Sequence, residues 1–424
     1  MKVLLVQSYL GGNEPLVFPI GLSCIKSALG GHDVRVFDTN VSPRPFDELK
    51  EMIAGLGPDA IGISLRNIDS TNKRKVVFYY DYLKKLIRSV KGSSGAKIIV
   101  GGSGFSMFAR EIMDDEPGID FGIYLEGEAA FPELLKNLDA PEKVKFVYYR
   151  KNGKVIFTGI GRQVDFNSMD FPDRGAVGLD NYRRIPDAVG VESKRGCVFN
   201  CIYCIYGFLN GKRLRLRAPE RVADEIEAMV KGSGIERFTF VDSVFNFPQD
   251  HAENICRELI RRKIKAGWSA WFNEKGLTRG FVEMVRDAGC RNIILSPDGF
   301  SDEILDRLGK NIKKEDILRS YEVLKGIGGL EVSYNFFKNP PGQSLQTFMS
   351  LAGFCFKAKM EMGRRVHFEF NSMRIEPHTK LHDIALTEGL VSSGENLLYP
   401  KYYTNRETRH IEGAFNMMLR MRGK

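Results

Sequence analysis

The 424-residue chain has no apolar stretch approaching the ~20 residues that a membrane-spanning helix needs; its strongly apolar runs are strand-length. Its first twelve residues, MKVLLVQSYLGG, carry one lysine and a short apolar run, without the longer apolar region and small-residue cleavage site of a secretory signal. These two absences set the expectation of a cytoplasmic protein with no membrane partner. Histidine is scarce, and only His32 precedes residue 251. Compositional bias is missing too: 43% hydrophobic and 27% charged residues exclude disordered and fibrous classes. The excess of 62 Lys+Arg over 53 Asp+Glu gives +9. That fits anionic cofactors or an acidic partner and gives no reason to expect nucleic acid. A disulfide framework is also lacking, because seven cysteines is an odd number in a large chain. Cys24, Cys256, Cys290 and Cys355 are scattered in apolar surroundings and read as small buried hydrophobes. Cys197, Cys201 and Cys204 fall within eight residues and need another account.

What is present is alternation. Apolar runs at Val3–Gln7, Asp33–Asp38, Ala60–Leu65, Lys97–Val100 and Phe121–Tyr124 alternate with helical periodicity at Pro19–Leu29, Phe46–Ala54, Val77–Val90 and Phe105–Met113. Near-continuous apolar strands separated by helices predict a parallel sheet covered on both faces. Ligands of such sheets bind beyond the carboxyl ends of the strands. The segments there are Gln7–Gly12, Asp38–Asn40, Arg66–Asp69, Gly101–Phe105 and Glu126–Glu128, rich in glycine and polar residues as binding loops and plain turns both are. Residues 136–186 read as a connecting segment, with a hairpin around Lys151-Asn152-Gly153 and then a stretch without period. From residue 187 a second series begins. Six candidate strands (Ala188–Lys194, Arg237–Asp242, Gly267–Phe272, Asn292–Ser296, Leu330–Phe337 and Val366–Arg374) are separated by amphipathic helices. Six βα units fall short of the eight of a closed barrel and predict a partial (β/α)6 barrel over 187–390. Residues 391–424 form a C-terminal extension, whose stretch Tyr399–Lys424 suits a lid or an edge cover.

The segment Gly196-Cys197-Val198-Phe199-Asn200-Cys201-Ile202-Tyr203-Cys204 follows the first strand of the second series. Three thiolates on one loop can hold three corners of a cubane iron–sulfur cluster. Protein sites usually supply four, so the spacing C-x3-C-x2-C leaves one iron open to a substrate. A zinc site would need a fourth Cys or His nearby, and the nearest downstream histidine is His251. Three purely structural cysteines would cluster reactive thiols without adding packing.

This C-x3-C-x-Y-C motif after the first strand resembles the radical S-adenosylmethionine (SAM) superfamily, in which three cysteines bind a 4Fe–4S cluster and SAM chelates the fourth iron. The resemblance implies SAM contacts at Phe240–Asn246 (FVDSVFN), with Asp242 and Ser243 as candidates for the amino group. It places Ser296 and Asp298 near the ribose, although the usual glutamate is absent there. The loops Pro340–Gln343 and Glu376–Leu381 resemble those after the fifth and sixth strands. In the first half, Pro19–Leu22, Gly31–Val34, Pro58–Ser64, Gly101-Gly102 and Gly127-Glu128 resemble the Rossmann-like cobalamin-binding domain that precedes many radical SAM domains, here over 1–135. That implies Gln7, Arg66, Asn67, Gly101, Gly102, Ser103, Glu126, Gly127 and Glu128 as cobalamin contacts. The D-x-H-x-x-G motif of domains that ligate cobalt through histidine is absent, so no protein histidine is expected on the metal. Leu65–Asp69 and Gly104–Phe108 look closest to the tryptophan 2-C-methyltransferase branch. There an arginine approaches cobalt opposite the methyl group, making Arg66 the candidate; its alternative is a phosphate or carboxylate partner. Arg66 and Tyr203 are the residues expected to touch the chemistry.

The resemblance thus implies a C-methyltransferase. Cobalamin takes a methyl from one SAM, and a second SAM at the cluster yields a radical unless the substrate carbon is itself nucleophilic. The alternative is another cobalamin-dependent radical SAM reaction: oxidative rearrangement, epimerisation or cyclisation. The substrate is open between a small molecule and a peptide or protein side chain, and an external flavodoxin- or ferredoxin-type electron donor is implied. Lys212–Arg221 reads as a solvated basic face or a contact for an acidic substrate. Trp268 and Trp271, three apart on one strand, point to opposite faces. His378 and His382 sit four apart and could share a helix face.

Overall fold

The computed structural model describes residues 1–12, 14–406 and 408–413. It divides into two compact units, Met1–Gly190 and Val191–Lys424.

The first unit is built on β1 (Lys2–Gln7), α1 (Ile20–Ala28), β2 (Asp33–Asp38), α2 (Pro45–Leu56), β3 (Ala60–Ser64), α3 (Tyr79–Ser93), β4 (Lys97–Gly101), α4 (Ser103–Met107), α5 (Ala109–Asp115), β5 (Phe121–Ile123) and α6 (Gly127–Lys136), followed by β6 (Val147–Lys151) and β7 (Lys154–Phe157). The sheet order is β2-β1-β3-β4-β5-β6-β7, with β1 to β5 parallel. Central strands such as KVLLVQ are apolar at consecutive positions because helices cover both faces. The chain reverses direction across the sheet between β1 and β3. That switch point is where the loops after two neighbouring strands diverge and leave a crevice. Two expectations are corrected. The hairpin β6–β7 is no connector: β6 pairs antiparallel with β5 and the hairpin forms the edge of the first sheet, buried through Val147 and Tyr149. The single helix expected over Phe105–Met113 is two, broken at Phe108.

The second unit contains β8 (Gly190–Val191), β9 (Lys194–Arg195), α7 (Tyr206–Leu209), β10 (Arg215–Leu216), α8 (Pro219–Ser233), β11 (Arg237–Phe240), α9 (Gln249–Arg261), β12 (Gly267–Phe272), α10 (Arg279–Asp287), β13 (Cys290–Asp298), α11 (Asp302–Arg307), α12 (Lys314–Lys325), β14 (Glu331–Phe337), α13 (Leu345–Met362), β15 (Val366–Asn371), β16 (Met373–Arg374), α14 (Lys380–Thr387) and β17 (Tyr402–Tyr403). Six strands form one open sheet in chain order, β8-β11-β12-β13-β14-β15, as the six βα units predict. Side chains alternate along them. Val332, Tyr334 and Phe336 of β14 are buried, with Tyr334 and Phe336 against Phe354 of α13, which leaves Ser333, Asn335 and Phe337 on the other face. Trp268 is buried among Phe240, Phe245 and Phe272, whereas Trp271 on the opposite face is exposed. The face away from the helices therefore carries Thr239, Ser269, Trp271, Ser333 and Asn335.

The strand expected over Ala188–Lys194 is interrupted at Glu192–Ser193. The amides of Ser193 and Lys194 bond to the Asp242 carboxylate (2.8 and 3.2 Å) instead of a neighbouring strand. The basic run Lys212–Arg221 is a solvated face only in part: Lys212 and Arg213 are exposed. Arg215 pairs with β9 through β10, and Arg217 forms a buried ion pair with Glu225 at 2.7 Å. Of the expected C-terminal extension, β17 pairs with β16. Glu407 and residues 414–424 lie outside the described residues. No helix among the described residues is long and apolar enough to cross a membrane.

Removing one partner of a buried ion pair leaves the other charge without water or counter-ion, a cost of about 3–5 kcal/mol. Arg217→Met is expected to destabilise the second unit by that amount, and Arg217→Met with Glu225→Leu to recover most of it. Both tryptophans lie in this unit, so the urea transition followed by tryptophan fluorescence reads the effect.

Candidate cluster and corrinoid sites

The three cysteines occupy the loop between β9 and α7. Gly196 opens it with φ of 106°, and a β-carbon there would stand 2.2 Å from the carbonyl oxygen of Arg213, so only glycine fits. The Cys197 amide donates to the Gly211 carbonyl (3.0 Å), and the Lys212 ammonium donates to the Phe199 carbonyl (2.5 Å) and Asn200 Oδ1 (3.2 Å). On the other side the Ile202 amide donates to the Leu308 carbonyl (3.0 Å), and the Ile202 carbonyl accepts from Leu381 (2.8 Å). The loop is thus fixed by backbone bonds to three separate segments.

None of the seven cysteines is joined in a disulfide among the described residues. Burial pushes the Cys204 thiol up to about 12, and the charges that Cys201 and Cys197 would carry add to the rise. Burial likewise raises Cys201, which also feels Cys197. Three thiols close enough to repel one another as thiolates, and taken out of water, ionise only when a cation compensates them. That donor set fits iron: thiolate is the ligand of iron–sulfur clusters. Among the described residues no group of three His, Cys, Asp or Glu is drawn together as a set of ligands to a single ion. Beside Cys197 lies a shallow, open pocket whose lining includes Phe199, Ser243, Val244 and Phe247.

The two polar candidates after β11 differ. Both oxygens of Asp242 are engaged: Oδ1 accepts from the Ser193 and Lys194 amides, and Oδ2 from the Ser193 hydroxyl and the Lys194 ammonium (3.1 Å). This aspartate closes the first strand's break and has no oxygen left for a ligand amine. Ser243 lines the pocket, and its buried hydroxyl has no partner among the described residues. Ser296 Oγ accepts from Asn335 (3.1 Å). Asp298, at φ 65°, accepts from the Tyr203 hydroxyl and from Lys310 (2.7 Å), so it faces the cluster loop. Tyr203 stands edge-on to Phe337, with ring centroids 4.8 Å apart. Burial, then Asp298, holds its phenol well above its ordinary range. Burial disfavours the Lys310 ammonium, but Asp298 foremost, then Cys201 and Glu274, outweighs that and raises it above its ordinary range. Its charge in turn favours the thiolate at Cys201 and Cys204.

Lys194, Lys212, Glu274 and Lys310 acquire roles that the sequence did not signal, because burial and partner choice are not written in local pattern; Asn335, a candidate by its strand-end position, is bonded to Ser296. The histidine pair does not form: His378 precedes α14 and stacks on Phe208 at 4.1 Å, while His382 lies within α14.

In the first unit, the topology brings Gln7, Arg66, Asn67, Gly101, Gly102, Ser103, Glu126, Gly127 and Glu128 to the carboxyl edge of one sheet. Gln7 ends β1, and its carbonyl accepts the Thr39 hydroxyl (2.8 Å). The loop Leu65–Asn67 is laid directly on the start of α4. Ser103 Oγ donates to the Arg66 carbonyl (2.7 Å) and the Gly104 amide to the Leu65 carbonyl (2.9 Å). A β-carbon on Gly102 (φ 100°) would come within 2.6 Å of the Leu65 oxygen. Buried polar atoms normally have partners. Here Ser8 Oγ after β1 and Arg66 Nε after β3 have none among the described residues, one on each side of the switch point. A polar ligand at that crevice fits them. His32 sits at the amino end of β2, the opposite edge.

The comparisons agree with this geometry. Residues 13–135 match the B12 binding domain and residues 191–355 the Radical SAM superfamily. An uncharacterised methyltransferase of Pyrococcus horikoshii is 23% identical over 92% of this chain and 84% of its own length. The tryptophan 2-C-methyltransferase of Streptomyces laurentii is 22% identical over 87% of this chain and 72% of its own. An anaerobic magnesium-protoporphyrin IX monomethyl ester cyclase of Rubrivivax gelatinosus is 23% identical over 75% of this chain, which spans 58% of it. Among solved structures, the radical SAM methyltransferase TsrM of Kitasatospora setae, with cobalamin and a 4Fe–4S cluster bound, superposes with a TM-score of 0.77 at 20% identity. It covers 91% of this chain and 75% of that one.

Glu274 is buried, its Oε1 lacks a partner among the described residues, and burial pushes its carboxyl up to about 7. The folded state therefore holds a proton that the unfolded state loses near 4.5. Stability of the second unit falls as pH rises from about 4.5 to about 7 and then levels, by on the order of 3 kcal/mol. Glu274→Gln is expected to flatten that slope in urea titrations at pH 5, 6, 7 and 8. In parallel, Cys201→Ala is expected to fold but to bind too little iron and sulfide for four of each per chain after anaerobic reconstitution, measured by colorimetric iron and sulfide assay.

With a 4Fe–4S cluster, SAM and cobalamin as its cofactors, and the two domains that bind them in one chain, the protein belongs to the cobalamin-dependent radical SAM enzymes.

Proposed function

We propose that the protein is a C-methyltransferase that moves a methyl group from SAM, by way of cobalamin, to a carbon of a polar organic substrate. The observation that carries this is the pairing of two prepared sites in one chain: a three-thiol loop beside a pocket with a free serine hydroxyl, and a switch-point crevice with open polar atoms. Relatives named as methyltransferases support the reading. When bound, the cluster supplies an electron and an open iron, and the corrinoid supplies a methyl carrier.

The protein's own part is positioning. Cys197, Cys201 and Cys204 hold the cluster, and Ser243 offers its hydroxyl to SAM. Tyr203 has its hydroxyl committed to Asp298, so it serves the chemistry by clamping the loop. Arg66, on a loop fixed by Ser103 and Gly104, would bring its positive charge to the corrinoid crevice, where a cation would disfavour a water ligand on the metal and ease departure of the methyl group. An external flavodoxin- or ferredoxin-type protein supplies electrons, and the setting is the cytoplasm.

The cyclase relative favours a second reading, oxidative cyclisation by the same cofactors. Product mass separates the two, since methylation adds one methylene unit and oxidative cyclisation adds none. For the first half-reaction, the chain reconstituted anaerobically with iron, sulfide and hydroxocobalamin is expected to release S-adenosylhomocysteine and turn the corrinoid spectrum to its methylated form on addition of SAM and reductant. A folded protein that retains no corrinoid overturns the proposal. Arg66→Ala is expected to keep the corrinoid and slow methyl turnover roughly 10–100-fold, measured by stopped-flow absorbance.

A further inference from the structure

The cluster loop has a charged neighbour whose place no sequence motif explains. Lys310 follows α11, and its turn lies on the backbone of the cysteine loop. The Leu308 carbonyl accepts the Ile202 amide at 3.0 Å. A β-carbon on Gly309 (φ 67°) would stand 2.5 Å from the Asn200 oxygen, so the approach is as close as the chain allows. The Lys310 side chain is buried, and all three of its protons are placed: Asp298 Oδ2 at 2.7 Å, the Ser296 carbonyl at 2.5 Å and the Tyr203 hydroxyl at 3.3 Å. Tyr203 gives its own proton to Asp298. The ammonium is thereby held at one point, bonded to the side chain of Tyr203, which stands between Cys201 and Cys204 in the loop.

Resting on the reading of Cys197, Cys201 and Cys204 as cluster ligands, we propose that Lys310 is a positioning residue that sets the cluster's reduction potential. The buried ammonium pins Tyr203 in the loop and places a fixed positive charge beside the thiolates. Reduction adds one electron to the cluster from a one-electron donor, with no proton, and makes the thiolate-bound cluster more negative by one. A nearby fixed cation stabilises that more negative state and raises the potential, in keeping with the dependence of cluster potentials on net charge and hydrogen bonding. In the interior such a charge is screened far less than at the surface. Asp298 opposes the effect, which gives the proposal opposite signs at two adjoining side chains.

The test is an EPR-monitored titration, with dithionite as reductant and mediators, of the full-length chain reconstituted with iron and sulfide, without substrate. Lys310→Met is expected to lower the midpoint potential and Lys310→Arg to leave it near the parent value. Asp298→Asn, which keeps an acceptor for Tyr203 and deletes the opposing charge, is expected to raise it. A merely structural role would move the two neutral variants in the same direction or neither. If Lys310→Met loses its cluster, the upward shift in Asp298→Asn still supports the proposal and its absence overturns it. A parent chain that holds no four-iron cluster overturns both this proposal and the cluster reading. Four irons with an unshifted potential in Lys310→Met overturn this one alone.

Discussion

Three thiols gathered out of water on one loop are a liability until a cation compensates them, and much of the second unit is arranged around that constraint. Thiolate is poorly solvated there, so each cysteine resists ionising and resists its neighbours' ionising. The loop cannot rely on its own contacts to keep such groups together. It is bonded by its backbone to residues 211, 308 and 381, which come from three different parts of the chain. Glycines stand at the two closest approaches, where any side chain would strike a carbonyl. The positive charges that approach the loop are tied down, Lys212 at an exposed position to loop atoms and Lys310 to Asp298.

The same economy governs the acidic groups. Asp242 and Asp298 end neighbouring regions of the sheet and were both natural candidates for ligand contacts by position. Each instead neutralises a buried lysine and so shapes the path of the chain. Asp242 draws the amides of residues 193 and 194 away from the sheet, which ends the first strand early and starts the turn into the cysteine loop. The Ser243 hydroxyl, by contrast, is left without a partner among the described residues. In the first unit the logic is similar: Ser8 and Arg66 keep open polar atoms at the point where the strand order reverses, while Gln7 is buried and its carbonyl ties down Thr39.

Much of this was legible in the chain. The alternation of apolar strands and amphipathic helices, the count of six βα units and the C-x3-C-x2-C spacing each follow from local pattern: burial on both faces imposes one and three thiols on a short loop impose the other. The errors have a common cause. The hairpin at Lys151–Gly153 reads correctly as a hairpin, but which strand its outer edge pairs with depends on a partner some 25 residues away. The basic run from Lys212 looks like a solvated face because sequence shows charge and not burial; Glu225 turns Arg217 into a buried ion pair. His378 and His382 have helical spacing, yet the helix begins only at Lys380.

The sequence by itself determined the two-part α/β architecture, the gathering of three thiols on one loop and the carboxyl-edge loops, since these rest on periodicity and on spacing within a few residues. Only the tertiary structure decided which polar residues are spent on the fold and which stay open for a ligand. That choice depends on partners such as Lys310 for Asp298, or Lys194 for Asp242, that lie on different segments and become neighbours only when the sheet and its helices pack and water is excluded.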